Sequence, residues 1–402
     1  MARKIKADET EAQDGETTRA ALQDIVTQLN DTFIARADAI RAMMLAYLSA
    51  EHYLLVGEPG VAKTALAVCF AGHLREASFF KTTFGSFTPP EAVFGPMSIN
   101  KFKQGQYKTE TAGMLPEADH GFLDEYLKAS DGLVNSLLTI NNEREFEGKK
   151  TPLMTLGMAT NWPEMLSRSD NIAALYDRTL LRVVVEDVEA EDDVADVLEK
   201  IEAVDAYSPR STITLADLKA AQEEVKAVEI SRDIRKLMAN VRKRLGPQEL
   251  PGGDIKEGVQ ISSRRLGKLQ RVLKANAWMN GRDEVTVEDF EVLQWGLWSD
   301  QSDIEKVHAV LGTVDQEAKQ EVVKLIDTGR TAYQDLARAG FGTARMNATM
   351  AKIGKVAAEA AELYNRPIFT ARGRDEIKQA MEGLKQDFKA IKIKVEEAKQ
   401  HG

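Results

Sequence analysis

The sequence predicts an α/β core built on a parallel sheet with helices on both faces, followed by an all-α segment and a C-terminal helical region. Two observations carry that expectation. Short apolar runs of buried-strand character, at Tyr53-Leu54-Leu55-Val56, Phe79 to Thr83, Phe122-Leu123, Met154 to Ala159 and Leu180 to Val185, alternate with helical patterns. Parallel strands at that spacing need crossover helices, which cover both faces of the sheet. After about Glu186 the strands stop, and apolar residues recur at intervals of three and four.

Composition bounds the rest. With 402 residues the chain exceeds one hydrophobic core and supports two or three domains. Apolar residues at 43% and charged residues at 29% are those of a soluble globular protein. A formal net charge of -10 is repelled by phosphate backbones and weighs against broad nucleic-acid binding. A single cysteine, Cys69, excludes a disulfide framework and a zinc cluster, and its apolar run Ala65 to Phe70 reads as core. No run of some 18 apolar residues and no signal-peptide core are present, so no membrane span is expected and the cytoplasm is the expected address.

Taken in order, Met1 to Thr18 is polar and of mixed charge, and reads as a flexible tail. Helical spacing follows from Ala20 to Leu29 and from Ala39 to Leu48, then the strand Tyr53-Leu54-Leu55-Val56 runs into a glycine-containing loop and another helix. Past the last strand, Glu191 to Ala203, Leu215 to Val228, Ser231 to Leu245, Ser262 to Met279 and Val287 to Trp298 read as helices, with a Pro/Gly-rich loop from Gly246 to Gly258. From about Asp300 the chain is helical and charge-laced, broken at Gly340-Phe341-Gly342 and near Asn365-Arg366-Pro367. In the last stretch Ile377, Met381, Leu384, Phe388, Ile391 and Val395 form a stripe. That stripe fits the packing face of a helical bundle or an extended coiled-coil arm.

The strongest chemical signal is Gly57-Glu58-Pro59-Gly60-Val61-Ala62-Lys63-Thr64, followed by Ala65, between a strand and a helix. That context suits a phosphate-binding loop: glycines let the backbone N–H groups face the phosphates at a helix N-terminus. Lys63 supplies a point charge to the β- and γ-phosphates of ATP, and the Thr64 hydroxyl is a ligand for Mg2+. Ala62 stands where a glycine is usual, and a methyl at the first helical turn is expected to be tolerated. In Gly121-Phe122-Leu123-Asp124-Glu125 the strand ends in two acids. Asp124 is placed to hold the Mg2+ shell and Glu125 to act as general base on the attacking water. A third strand ends in Thr160-Asn161, where the Asn161 amide is positioned for the γ-phosphate or the lytic water; an ordinary turn residue is the bland reading.

These motifs, in this order, resemble the MoxR family of AAA+ ATPases, most closely its RavA-type branch, over about residues 20–300. The likeness extends to Phe87-Thr88-Pro89-Pro90-Glu91-Ala92-Val93-Phe94-Gly95-Pro96, to Gly113-Met114-Leu115-Pro116-Glu117-Ala118, to Asn135 through Arg144, and to Ala174-Leu175-Tyr176-Asp177-Arg178. The resemblance implies a P-loop AAA+ core over residues 19–188, an α-helical lid over 189–300 and a C-terminal helical region over 301–402. It implies Asn161 as sensor 1 and Arg178 as the arginine finger that reaches a neighbouring subunit's nucleotide. It further implies Arg264, or Arg265 one residue on, as the sensor-2 arginine touching the γ-phosphate in cis. Inserts near 95–114 and 145–151 resemble pore-facing elements, and Phe102, Tyr107 and Phe146 suit a grip on polypeptide, the alternative being a plain exposed hairpin. Family likeness also implies a homo-oligomeric ring, expected to be hexameric, a protein client, and a partner with a von Willebrand factor A domain. Beyond Asp300 the resemblance is poor.

Two further functions remain open on the residues. A nucleic-acid motor would draw on Lys101, Lys103, Lys108, Arg144, Lys149 and Lys150 around a pore, against the overall acidity. A ring that binds nucleotide for assembly alone is at odds with the full set Lys63, Asp124, Glu125, Asn161 and Arg178. Guanine specificity is not expected, because Asn100-Lys101-Phe102-Lys103 lacks the aspartate of a base-reading motif.

Overall fold

Five parallel strands organise the first half of the chain in the computed structural model, which describes residues 14–161, 176, 178–249 and 255–400. They are β1 (Tyr53–Val56), β2 (Phe79–Thr83), β3 (His120–Asp124), β4 (Thr155–Thr160) and β5 (Leu181–Val184), in the order β2-β3-β4-β1-β5. Each coincides with a predicted apolar run. β1 lies inside the sheet, pairing Tyr53 with Gly157 of β4 and with Leu181 of β5, and its four side chains are essentially inaccessible. Strands buried on both faces need no alternation of polar and apolar residues, and β1 and β4 show none.

The described residues divide into two compact units. The first holds the sheet with α1 (Gly15–Thr32), α2 (Ala37–Ser49), α3 (Lys63–Ala71), α4 (Asp131–Glu143), α5 (Glu191–Asp205), α6 (Leu215–Ala227) and α8 (Ser263–Met279). Helix α1 starts inside the expected tail, because the Asp14 carboxylate caps it by accepting from the Thr17 N–H at 2.8 Å; residues 1–13 of that tail lie outside the described residues. Helix α2 is buried over most of its length, and its Tyr47 hydroxyl is hydrogen-bonded to His120 Nδ1 at 2.8 Å. The chain between α5 and α6 returns to the core through Ile213–Thr214, paired with Leu74–Arg75. His73 fixes that return: its Nδ1–H donates to the Ser211 carbonyl at 2.7 Å while the Tyr207 hydroxyl donates to Nε2 at 2.5 Å.

Two inserts stand beside each other in this unit. Glu145–Phe146 and Lys149–Lys150 form the expected hairpin, and Glu147 and Gly148 at its tip both have positive φ, the backbone of a tight two-residue turn. Phe146 stacks on Phe94 at 5.0 Å between centroids, and the Thr109 hydroxyl donates to Glu147 Oε1 at 2.5 Å. Ile99, Phe102 and Tyr107 of the longer insert are exposed, Tyr107 at 79%. Arg144, counted above among pore cations, is instead half-buried and engaged at the foot of the hairpin. Its guanidinium donates to the Ala50 carbonyl at 2.8 Å and the Leu153 carbonyl at 3.0 Å.

The second unit contains α7 (Arg232–Leu245), α9 (Ile304–Leu311) and three long helices, α10 (Gln316–Ala339), α11 (Thr343–Tyr364) and α12 (Ala371–Gln400). The breaks between the long helices fall at the predicted glycine and proline segments. The α12 stripe packs as a bundle face, with Ile377, Leu384 and Ile391 fully buried against α10 and α11. Asp315 ties the start of α10 to the α11–α12 connection by accepting from Thr370 N–H at 3.0 Å and Thr370 Oγ1 at 2.6 Å. The units do not follow the boundaries drawn at 188 and 300. Helices α5, α6 and α8 of the expected lid belong with the sheet, while α7 belongs with the C-terminal helices. Among the described residues no helix is long and apolar enough to cross a membrane.

Candidate active site

Where β1 ends, the backbone has little freedom. The Gly57 N–H donates to the Thr160 carbonyl at 3.1 Å, and a Cβ on Gly57 would lie 2.1 Å from the Val185 carbonyl oxygen, so glycine is required by close approach to the residue that follows β5. Gly60 takes φ +97° in open space and lets the loop turn back. Ala62 takes φ +63° as the residue before α3. The methyl is therefore not at a helical turn, as expected above, but in the left-handed region, where a side chain costs about 1 kcal/mol or more.

The curl of this loop positions Lys63. Its Nζ donates to the Gly57 carbonyl at 2.7 Å and the Glu58 carbonyl at 2.8 Å, with the residue 8% exposed. Burial pushes the ammonium down from its ordinary value, and Asp124, Glu125 and Glu58 hold it back up. The next residue reaches the neighbouring motif: Thr64 Oγ1 lies 2.5 Å from Asp124 Oδ2. The other Asp124 oxygen accepts from the Glu125 N–H at 2.9 Å. Glu125 turns with φ +54°, and its carboxylate is 3.4 Å from Lys128 Nζ. Asn161 follows β4, half-buried, one residue beyond the carbonyl that receives Gly57. Lys63, Thr64, Asp124, Glu125 and Asn161 thus share the C-terminal edge of β1, β3 and β4, the edge at which open parallel sheets bind ligands.

The residues present fit a magnesium-bound nucleotide. A hydroxyl and a carboxylate in contact are hard oxygen donors, and a lysine bonded to loop carbonyls is a cation held ready for phosphate. Beside the loop lies a cavity of about 230 Å³ that the sequence reading missed, lined by Phe33, Ile34, Val61, Asp187, Val197 and Ile201 among others. Arg36 braces it, donating from Nε to the Val61 carbonyl at 3.3 Å. Burial lowers that guanidinium while Asp187 pulls it back. Its walls come from three separated segments, so no local motif marks it.

The arginines lie elsewhere. Arg178 precedes β5, at the N-terminal edge of the sheet; Ala174, Leu175 and Asp177 of its motif lie outside the described residues. Arg264 is exposed in the first turn of α8 and lines a groove with Ala50, Glu51 and Met154, residues that lead into β1 and β4. From Glu51 to Gly57 the extended chain spans about 20 Å. Arg264 therefore stands at the edge opposite Lys63 and does not meet a phosphate there in cis, as expected above, because α8 packs on α2 and α6. The reserve residue, Arg265, is buried and donates to Ser299 Oγ at 3.0 Å and the Trp298 carbonyl at 2.6 Å, a bracing role. Arg182 braces the same spot from β5, its guanidinium 4.1 Å from the Tyr176 ring centroid. Among the described residues no cluster of three or more His, Cys, Asp or Glu could hold a metal by itself. One carboxylate and one hydroxyl need the oxygens of phosphate and water to complete a Mg2+ shell.

Comparison with known proteins bears on this arrangement. A family model of the MoxR domain found in MoxR–vWA–β-propeller ternary systems matches residues 20–225, and a model of an AAA lid domain matches residues 233–311. Two uncharacterised proteins of Methanocaldococcus jannaschii are similar, one 32% identical over 75% of this chain and 76% of its own length. The other is 31% identical over 71% of this chain and 74% of its own. A structural protein of Acidianus two-tailed virus is 28% identical over 50% of this chain and 34% of its own length. A solved structure from Cytophaga hutchinsonii, described as that of a candidate ATPase, shares the fold with a TM-score of 0.59 at 17% identity, over 75% of this chain and 95% of that one. These matches bear on the family and not on the RavA-type branch.

Proposed function

The chain belongs to the MoxR family of AAA+ ATPases, and from that premise we propose that it hydrolyses ATP between the subunits of a homo-oligomeric ring and uses the energy to remodel a protein partner. The observation that carries the proposal is the convergence of Lys63, Thr64, Asp124 and Glu125, with Thr64 Oγ1 and Asp124 Oδ2 2.5 Å apart. Lys63 exchanges its loop carbonyls for β- and γ-phosphate oxygens, and the phosphate-loop N–H groups bind the same oxygens. Thr64 and Asp124 hold Mg2+, which when bound neutralises charge on the phosphates. Glu125 orients the attacking water and takes its proton, and Asn161 aligns that water with the γ-phosphate.

Arg178 and Arg264 act in trans. Both stand at the edge opposite the phosphate loop, which supports a head-to-tail assembly in which each chain lends them to its neighbour's nucleotide. Such heterologous contacts close into rings, and six copies is the number the family likeness suggests. The exposed aromatics Phe102 and Tyr107, on an insert anchored through Phe94 and Phe146, grip the client. A protein with a von Willebrand factor A domain is the partner suggested by the name of the matching model.

The test is Glu125→Gln. Turnover is expected to fall about a hundred- to ten-thousandfold with ATP still bound, and affinity isolation of the variant in ATP is expected to retain client and partner. Unaltered turnover would remove Glu125 from the chemistry and leave a nucleotide-stabilised scaffold as the better reading.

A further inference from the structure

The groove that Arg264 lines is larger than one arginine requires. It has a volume of about 1000 Å³ and runs along one face of α8, where Arg264, Lys268, Arg271 and Lys274 recur at intervals of four and three. That row is about 15 Å long at the helical rise. Lys226 of α6 and Arg144 add two more cations, against one carboxylate in the lining, Glu51. Glu51 is buried and already engaged, 3.0 Å from Lys268 Nζ and 3.2 Å from Arg271. Lys226 meets Glu223 at 2.6 Å beside the groove. The cations are crowded: burial and then Arg271 press the Arg144 guanidinium down to about 10 against the pull of Glu51. Asn141 also lines the groove, 3% exposed, and neither its Oδ1 nor its Nδ2 has a hydrogen-bond partner among the described residues.

The opposite edge carries the complementary charge. Glu186, Asp187, Glu189, Glu191, Asp192, Asp193 and Asp196 follow β5 beside the phosphate loop, and all but the half-buried Asp193 are exposed. No lysine or arginine interrupts them. Further along α5, Val194, Leu198 and Ile201 are exposed apolar residues spaced four and three apart. Within one chain the sheet separates these surfaces by about 20 Å, so they cannot neutralise each other.

We propose that the basic groove seats the acidic segment Glu186–Asp196 of a second copy of this chain, an inference that rests on the head-to-tail assembly proposed above. A chain of net charge -10 is repelled by its own copies at long range, so assembly needs local complementarity of this kind. The edges it joins are the ones that must meet for Arg178 to reach a neighbouring Lys63. Peptide rather than free phosphate is the fitting occupant, because the row of cations is about 15 Å long, a length that a segment carrying several carboxylates can follow and a single phosphate cannot.

The test reverses each surface in the full chain and reads assembly in ATP by sedimentation velocity. One variant carries Asp192→Lys and Asp196→Lys, the other Lys226→Glu and Lys274→Glu. Each alone is expected to raise the concentration needed for assembly at least about tenfold, the cost of placing like charges opposite one another. An equimolar mixture is expected to assemble as the parent does, because every interface in an alternating ring again joins opposite charges. That recovery also shows that both variants are folded. If both reversed proteins assemble like the parent, the groove is not the seat, and the ring itself stands. Mixtures that fail although each variant keeps its circular dichroism and melting temperature would overturn the pairing as well. If only the groove reversal blocks assembly, and pyrophosphate competes in the parent, the occupant is a phosphate and the proposal falls. A parent that stays monomeric in ATP at any concentration would instead sink the ring on which this inference rests.

Discussion

His120 gives the fold a specific response to acid. The imidazole is inaccessible at the start of β3, shares a hydrogen bond between Nδ1 and the Tyr47 hydroxyl, and packs 4.8 Å from the Phe79 ring. Burial pushes its pKa from 6.5 to about 4, with Asp119 opposing weakly, so the ring is neutral in the folded chain. Below the ordinary histidine pKa the unfolded chain takes up a proton that the folded chain refuses. This contribution to stability is therefore complete above pH 6.5 and lost as the pH falls towards 4. A shift of that size corresponds to about 3 kcal/mol when fully expressed and about 2 kcal/mol near pH 5. His120→Leu removes the titration and leaves the Tyr47 hydroxyl without its hydrogen-bond partner, costing about 1–2 kcal/mol near neutral pH. Urea unfolding of both proteins at about pH 7 and about pH 5 separates the two effects, since His52, also depressed by burial, titrates in both. The wild type is expected to lose about 2 kcal/mol more than the variant between those conditions. Equal losses would refute the placement of a neutral histidine under Tyr47.

Three further outcomes follow from the loop and its supports. Ala62→Gly relieves a left-handed alanine and is expected to stabilise the chain by about 0.5–1 kcal/mol after the extra freedom of unfolded glycine is subtracted, read as a rise in melting temperature. Gly57→Ala forces a methyl against the Val185 carbonyl; about 1–3 kcal/mol of overpacking strain and loss of ATP binding are expected by calorimetry. Arg265→Ala strips two hydrogen bonds from the Ser299 turn and is expected to lower melting temperature while leaving turnover per folded chain within about twofold.

Much of this was legible in the sequence for a physical reason. Buried parallel strands must be apolar on both faces, so Tyr53-Leu54-Leu55-Val56 and Met154 to Ala159 announce themselves without any knowledge of their neighbours. The phosphate loop is equally local, since its glycines, lysine and threonine are adjacent in the chain. Asp124 and Glu125 became meaningful once paired with it. What the residues did not disclose depends on packing. Whether Arg264 faces its own nucleotide is decided by where α8 docks, and α8 docks on α2 and α6 through an apolar face that says nothing about direction. Helical spacing likewise says nothing about which elements α5, α6 and α8 pack against, and these lie in the sheet-bearing unit. Arg144 looked like a surface cation until the Ala50 and Leu153 carbonyls were found to need it. The cavity beside the phosphate loop was invisible because Phe33, Val61 and Val197 are far apart in sequence.

A mixing experiment bears most directly on the claim that one chain completes the site of another. Lys63→Ala removes the phosphate contact but keeps Arg178; Arg178→Ala does the reverse, at an expected cost of about a thousandfold or more in turnover. Each variant alone is expected to be nearly inactive. Combined in equal amounts and allowed to co-assemble, they should recover about a quarter of wild-type turnover, because about one interface in four joins an intact loop to an intact arginine. Co-assembled mixtures that stay as inactive as the separate variants, or an Arg178→Ala protein that turns over like wild type by itself, would contradict catalysis between chains.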